Sequence, residues 1–267
     1  MLTAKHPIKN FIVGDNNGVD GEDNFVVGSE GWIVSTGTVA LGKSQLVSKG
    51  NNNLMFGLSN EIYNASDVIV IGQGIRATKS NSLVLGNTAR SVNSNEVVIS
   101  TGPFFNRSLA QTSQLSWKGV TTGNYLKSIY LNAKEINLTT KDLDGIAIVP
   151  TGSLLNGTLN LLAASDKYTS DGKFAARKYN ITLENSGNGG VKINNLSLIN
   201  SYNAGNTSSW GIGLTGYGPT GVLMVVSGTA NDNIYWHIVG EFNQITPTRF
   251  ISGIKEIIIH IGKINLS

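Results

Sequence analysis

Six apolar triplets, each closed by glycine, recur along the first third of the chain: Phe11-Ile12-Val13-Gly14, Phe25-Val26-Val27-Gly28, Val39-Ala40-Leu41-Gly42, Leu54-Met55-Phe56-Gly57, Ile69-Val70-Ile71-Gly72 and Leu83-Val84-Leu85-Gly86. Their glycines are spaced by 14, 14, 15, 15 and 14 residues, and a seventh triplet, Val97-Val98-Ile99, ends on Ser100 instead. A unit this short holds two small strands and their turns and buries nothing by itself, so it predicts one coil of a stacked solenoid. Successive strand residues point to opposite faces, and here all three are apolar, so both faces of this strand are hydrophobic. That is the pattern of a strand covered on two sides in a parallel stack.

Five residues beyond each glycine lies a second inward candidate: Val19, Ile33, Val47, Ile62 and Ala77, with Ser91 departing in the last coil. Its neighbours are mostly polar, which predicts a second strand buried on one side only. The interior of a coil can then cover only one face of the first strand. The other face carries Ile12, Val26, Ala40, Met55, Val70, Val84 and Val98, or else their flanking neighbours, and an exposed apolar stripe of that length calls for another copy of the chain. Val13, Val27, Leu41, Phe56, Ile71 and Leu85, with Val26, Val70 and Val84, are the expected residues of the coil core and the contact between copies.

The repeat also accounts for Gly72-Gln73-Gly74-Ile75-Arg76-Ala77, which matches the G-x-G-x-x-A turn of dinucleotide-binding folds. That turn requires a helix and a βαβ unit, whereas the next strand here begins near Leu83. Other coils lack the second glycine, with Lys43-Ser44 after Gly42 and Leu58-Ser59 after Gly57. Gly74 is therefore expected to serve a turn, and no cofactor is expected.

Thr101-Gly102-Pro103 breaks the period, and proline supplies no ladder donor, so a boundary is expected there. Beyond it, "YLKSIYLN", "GIAIVP", "GTLNLLAAS", "GKFAARKYNITLEN", "GGVKINNLSLIN", "SWGIGLTG", "TGVLMVVSG" and "NIYWHIVGEFNQI" are alternating or β-branched runs between turn signals, as in a sandwich or barrel. The expected organisation is an arm (1–9), a parallel β-roll shaft (10–102), a linker (103–115), an antiparallel β-sandwich or jelly-roll-like knob (116–245) and a final strand or arm (246–267).

Within the shaft, Asn24-Phe25-Val26-Val27-Gly28 and Asn81-Ser82-Leu83-Val84-Leu85-Gly86 resemble the head repeat of YadA-like trimeric adhesins. The resemblance implies a left-handed parallel β-roll with three chains about one axis. In the second half, Ala175-Ala176-Arg177-Lys178-Tyr179, then Ser209-Trp210, then Gly228 and Ile234-Tyr235-Trp236-His237-Ile238-Val239 resemble the β-rich module that ends many tailed-phage fibre proteins. Together these imply a homotrimeric head or tail fibre on a phage particle, made in the host cytoplasm and contacting capsid or tail proteins. A bacterial surface adhesin fragment and a polysaccharide-cleaving tailspike are the alternatives.

Candidate chemistry is sparse. Cysteine is absent, which removes disulfides, thiolate metal sites and thiol nucleophiles. His6, His237 and His260 lie far apart without a second ligand at metal spacing. Asp142 and Asp144 are the best-spaced acidic pair, but "KDLDG" has the composition of a turn. No catalytic residue or metal ligand is assigned, and the chain is expected not to be an enzyme. A net charge of +3, spread thinly, argues against a nucleic-acid partner, and the longest apolar runs fall far short of a membrane helix. Trp210, Tyr217, Tyr235 and Trp236 are candidates for contacting a host glycan or protein, with core packing as the competing role. Trp32 and Tyr63, on the second strands, are expected to be exposed.

Overall fold

Each apolar triplet forms a strand, and each coil adds a second strand beside it. Going along the chain these are β1 (Phe11–Val13) and β2 (Gly18–Asp20), β3 (Phe25–Ser29) and β4 (Trp32–Thr36), β5 (Val39–Lys43) and β6 (Leu46–Asn51), β7 (Leu54–Leu58) and β8 (Glu61–Tyr63), β9 (Ile69–Gln73) and β10 (Arg76–Ala77), β11 (Leu83–Asn87) and β12 (Arg90–Ser91). The computed structural model describes residues 9–104, 108–122, 127–131, 146–230 and 232–246. Odd-numbered strands stack in parallel as one sheet and even-numbered strands as another, and equivalent residues stay in register, as in Val26↔Ala40, Ala40↔Met55 and Met55↔Val70. The result is a two-sheet β-solenoid.

Its interior settles which face of the triplet points inward. Val26, Ala40, Met55, Val70, Val84 and Val98, the middle residues, are buried against Ile33, Val47, Ile62 and Ala77 of the second sheet. Ser91 is fully buried at the same position. The flanking residues of the triplets face out.

The recurring glycine has a steric cause. At Gly57 φ is +122°, and a Cβ there would fall on the carbonyl oxygen of Gly72 in the next coil; the same relation links Gly14 to Gly28, Gly28 to Gly42, Gly42 to Gly57 and Gly72 to Gly86. Ser100 can replace glycine because no further coil follows: on that side β13 (Val97–Phe104) pairs with an antiparallel strand and itself bulges between Ile99 and Gly102. Two residues after each glycine the chain turns a corner in the left-handed region, at Asn16, Glu30, Ser44, Ser59, Gly74 and Thr88. Gly74 is thus the corner residue of the fifth coil.

Inside the two corners, side-chain amides stand in for ladder partners. Asn24 donates to the Ser35 carbonyl at 2.8 Å and accepts from the Thr38 N–H at 3.0 Å. Asn53 does the same with Ala65 and Val68, and Asn60 with Gly72 and Ile75. Each is at least 98% buried, and each satisfies backbone groups that would otherwise be desolvated without a partner.

The second half continues the first sheet without a break. After β13 come β14 (Ser108–Thr122), β15 (Lys127–Leu131), β16 (Ala147–Ile148), β17 (Ser153–Ser165), one helical turn α1 (Tyr168–Asp171), β18 (Phe174–Asn185), β19 (Lys192–Ala204), β20 (Gly211–Tyr217), β21 (Gly221–Ser227) and β22 (Asn233–Thr246). From β13 the order is β14, β22, β17, β18, β19, all antiparallel. Residues 103–115, expected as a linker, are mostly strand. Pro103 is tolerated because the parallel pairing with β11 stops at Thr101, so Pro103 faces a strand on one side only. Nor are there two separate stacked sheets: β15 pairs with both β14 and β21, so the hydrogen bonding passes around the core from the long strands to β20 and β21. The curl encloses Trp117, Leu159, Ile181, Trp210, Met224, Trp236 and Phe242.

Replacing Gly57 with alanine is expected to destabilise the protein by at least about 2 kcal/mol, since it adds strain at a positive φ to a backbone collision. Gly74→Asn, at a left-handed corner whose nearest neighbour to a new Cβ is Thr88 Oγ1 at 3.8 Å, is expected to cost less than about 1 kcal/mol. Denaturant unfolding of the two variants checks this, and equal costs would refute the steric account.

Candidate functional site: an apolar stripe and an aromatic corner

The outward face of the first sheet carries two residues per coil. They are Phe11 and Val13, Phe25 and Val27, Val39 and Leu41, Leu54 and Phe56, Ile69 and Ile71, Leu83 and Leu85, Val97 and Ile99. Every one is apolar. Phe11 and Ile99, at the two ends, are 53% and 52% exposed, and Ile71 46%. Phe11 and Phe25 stack with ring centroids 4.8 Å apart and planes within 9°, which is the coil spacing itself. The six outward residues expected in the core (Val13, Val27, Leu41, Phe56, Ile71, Leu85) are all on this stripe, whereas Val26, Val70 and Val84 are buried inside their own chain. Those three are therefore the coil-interior members of the expected set: alternation along a strand allows only one of two adjacent triplet positions to face outward.

Where the coils end, the stripe changes character. The column holding Ile99 continues across the sheet through Thr112, Asn243, Asn156, Thr182 and Asn195, and the column holding Val97 through Gln114, Glu241, Thr158, Asn180 and Ser197. Side chains in these columns bond one another: Thr112 to Asn243 at 3.2 Å, Gln114 to Glu241 at 3.4 Å, Thr182 to Asn156 at 2.9 Å. One sheet thus presents an oily surface along the shaft and a hydrogen-bonded polar surface beyond it.

Of the four aromatic candidates, only Tyr235 is available. Trp210 and Trp236 are buried against each other at 6.1 Å between centroids, and their indole N–H groups donate to Thr229 and Thr121. They are corrected from surface candidates to core residues, because β22 alternates and Trp236 takes the inward phase that leaves Tyr235 outward at 56% exposure. Tyr217 is half-buried at the end of β20. Trp32 and Tyr63 are exposed on the second sheet, as their polar neighbours implied. His237 lies on the outward face within 3.1 Å of Ser116. His6, His260, Asp142 and Asp144 lie outside the described residues.

Aromatic residues that single-sequence reading passed over gather around Tyr235. Phe174 packs on Tyr202 at 5.5 Å and on Tyr168 at 5.8 Å. Ala164 lies opposite both Tyr235 and Phe174, and Ala176 opposite both Leu162 and Tyr202. The signal was present in the phase of β17, where Leu159, Leu161 and Ala163 point in and Leu162 points out, but assigning neighbours to it required the pairing of strands distant in sequence.

Ionisable groups near this corner are held charged. Lys173 Nζ lies 3.1 Å from Asp232 and 3.9 Å from Asp171. The Lys173 backbone N–H holds the Asp171 carboxyl below its usual range, and the Thr229 hydroxyl, at 2.6 Å, does so for Asp232. Glu96 is the opposite case. It is sealed at the joint of coil and curl, where burial raises its pKa, although Oε2 accepts from the N–H groups of Val92 and Asn93 at 2.8 and 3.0 Å. Beside it Asn93 accepts from the Ile148 N–H, and Gln111 caps β12 by bonding both the N–H and the carbonyl of Arg90. Among the described residues no cluster of His, Asp and Glu could hold a metal ion.

No protein-family model matches the chain, and no curated protein matches it. Solved structures to which it is similar are the tailspike protein of Acinetobacter baumannii phage AM24 (10% identity, TM-score 0.27, covering 87% of this chain and 50% of that one) and the tailspike protein of Acinetobacter phage vB_ApiP_P1 (9%, 0.30, 88% and 53%). A third is tailspike protein gp49 from Acinetobacter baumannii bacteriophage Fri1, a capsular polysaccharide depolymerase (10%, 0.26, 87% and 46%). The chain spans about half the length of each.

The buried Glu96 gives the fold a pH dependence with a defined sign. Burial raises its folded pKa above the ordinary carboxylate value of 4.5, so the folded state keeps a proton that the unfolded state loses, and stability falls as pH rises above about 4.5. Glu96→Gln is expected to remove that contribution and to be at least as stable as the parent at pH 7. Thermal unfolding from pH 4 to pH 8 measures it, and parallel profiles for the two proteins would refute the assignment.

Proposed function

We propose that this chain is a structural fibre subunit of a tailed-phage virion, in which three copies pack through the outward stripes of their shafts and display three knobs for contact with the host surface. The observation that carries the reading is the stripe: fourteen apolar side chains on a surface about 30 Å long and 10 Å wide, ruled straight by in-register stacking. A surface of this kind on a lone molecule is an association site. A second copy is the matching occupant, because an identical stripe repeats with the identical coil spacing. The polar columns beyond Ile99 confine the dry contact to the shaft, leaving the curls to stand in water. Three chains, rather than two, and the virion itself are what the resemblances of the repeat and of the C-terminal module imply. Attachment by three knobs acting together would multiply weak individual contacts. No enzymatic step belongs to this reading.

The YadA-like repeat keeps one other reading in play, a bacterial trimeric surface adhesin. Genes flanking the coding sequence separate the two: capsid or tail genes belong to the first, a secretion signal and membrane anchor in the parent gene to the second.

Sedimentation equilibrium is expected to give three times the chain mass of 28.3 kDa. The double substitution Ile71→Glu and Leu85→Glu places carboxylates on the stripe without touching the coil interior, and is expected to yield single chains with the β signature retained. Trp32→Ala, on the opposite sheet, should leave the trimer intact. A parent protein that sediments as one chain would overturn the proposal.

A further inference from the structure

We infer that the corner of the curl walled by Leu162, Phe174, Tyr202 and Tyr235, with Ala164 and Ala176 as its floor, binds a carboxylate-bearing polysaccharide. The inference rests on the proposed adhesive role of the knob and names what the knob would take. Two rows of paired residues define the surface. One is Val120, Tyr235, Ala164, Phe174 and Ala204, and the other is Lys118, His237, Leu162, Ala176 and Tyr202. In each row an alanine separates two large side chains whose strands lie about 10 Å apart, so the surface is a shallow trough floored by methyl groups. Tyr202 is 67% exposed and Tyr235 56%, which is far from the burial expected of aromatic residues without a partner.

Charge selects the class of occupant. Lys118 and His237 stand in the second row, and Lys178 follows Ala176 by two residues on the same face. Neither row contains an Asp or Glu. Lysine ammonium groups beside exposed ring faces and alanine methyls suit an acidic sugar, whose carboxylate meets the lysines while its apolar ring face lies on tyrosine. The surface is also distinct from the stripe. From Gln114, in the column of Val97, to Lys118, in the nearer row, is four residues, about 13 Å along β14, and the intervening column holds Ser116, Val239, Asn160, Lys178 and Asn200. Packing of shafts through the stripe therefore does not of itself cover this corner.

Affinity electrophoresis of the full chain through gels containing alginate, polygalacturonate or dextran tests the inference. The parent is expected to be retarded by at least one of the two acidic polymers and not by dextran. Tyr202→Ala with Tyr235→Ala is expected to weaken that retardation at least tenfold, Lys118→Glu with Lys178→Glu to abolish it, and the melting temperature to stay unchanged in both. Retardation equal in parent and variants, equal retardation by dextran, or none by either acidic polymer would overturn it. So would a change in sedimenting mass in the tyrosine variant, which would make the corner a contact between copies. Because mass is measured on the same samples, a trimeric parent that neither acidic polymer retards counts against this inference alone, whereas a monomeric parent counts against the fibre reading.

Discussion

One close approach governs the shaft: at the end of each first strand the backbone of a coil comes so near the carbonyl of the next that no side chain fits between them. Glycine there is a condition of stacking, and it locks successive coils in register because a one-residue slip would bring a Cβ against that oxygen. From this follow the straight interior line from Val26 to Val98 and the equally straight outward stripe from Phe11 to Ile99. The same constraint explains the end of the series, since Ser100 appears where the neighbouring strand turns antiparallel and the collision disappears.

Two kinds of side chain then divide the work that glycine makes necessary. Valine, alanine and methionine at the middle positions fill the interior, and buried Asn24, Asn53 and Asn60 supply hydrogen bonds at corners where the ladder cannot. Leaving backbone groups unpaired there would cost about 1–3 kcal/mol each, so the asparagine content that appeared to be ordinary turn composition is in part a core feature. Closing the stack falls to Gln111 and Glu96, which occupy the groups a seventh even-numbered strand would have bonded. The first sheet needs no such cap because β14 joins it and carries it into the curl.

Legibility differed between the two halves for a physical reason. In the shaft, contacts link residues 14 or 15 apart in register, so the repeat written in the chain is also the repeat in space; Gly72-Gln73-Gly74 could be assigned to it without any structure. In the curl, β14 pairs with β22 across more than a hundred residues and β17 lies beside β22, so alternation gave strand identity but not neighbours. Trp210 and Trp236 were accordingly left open between surface and core, and the trough of Ala164, Ala176, Tyr202 and Tyr235 could not be seen at all. The expected linker failed on one residue: Pro103 does interrupt a ladder, but only the side of it that was already unpaired.

By itself, the sequence determined a parallel solenoid of fourteen-residue coils, two short strands per coil, and an apolar surplus on the first strand, because period and alternation are local properties that survive without knowledge of the rest of the chain. Only the tertiary structure decided that the middle residue of each triplet faces inward, that the outward stripe turns polar beyond Ile99, and that aromatic residues from β18, β19 and β22 meet on one corner. Those outcomes depend on which strands become neighbours, and that choice is made by burial of a shared core rather than by any stretch of residues alone.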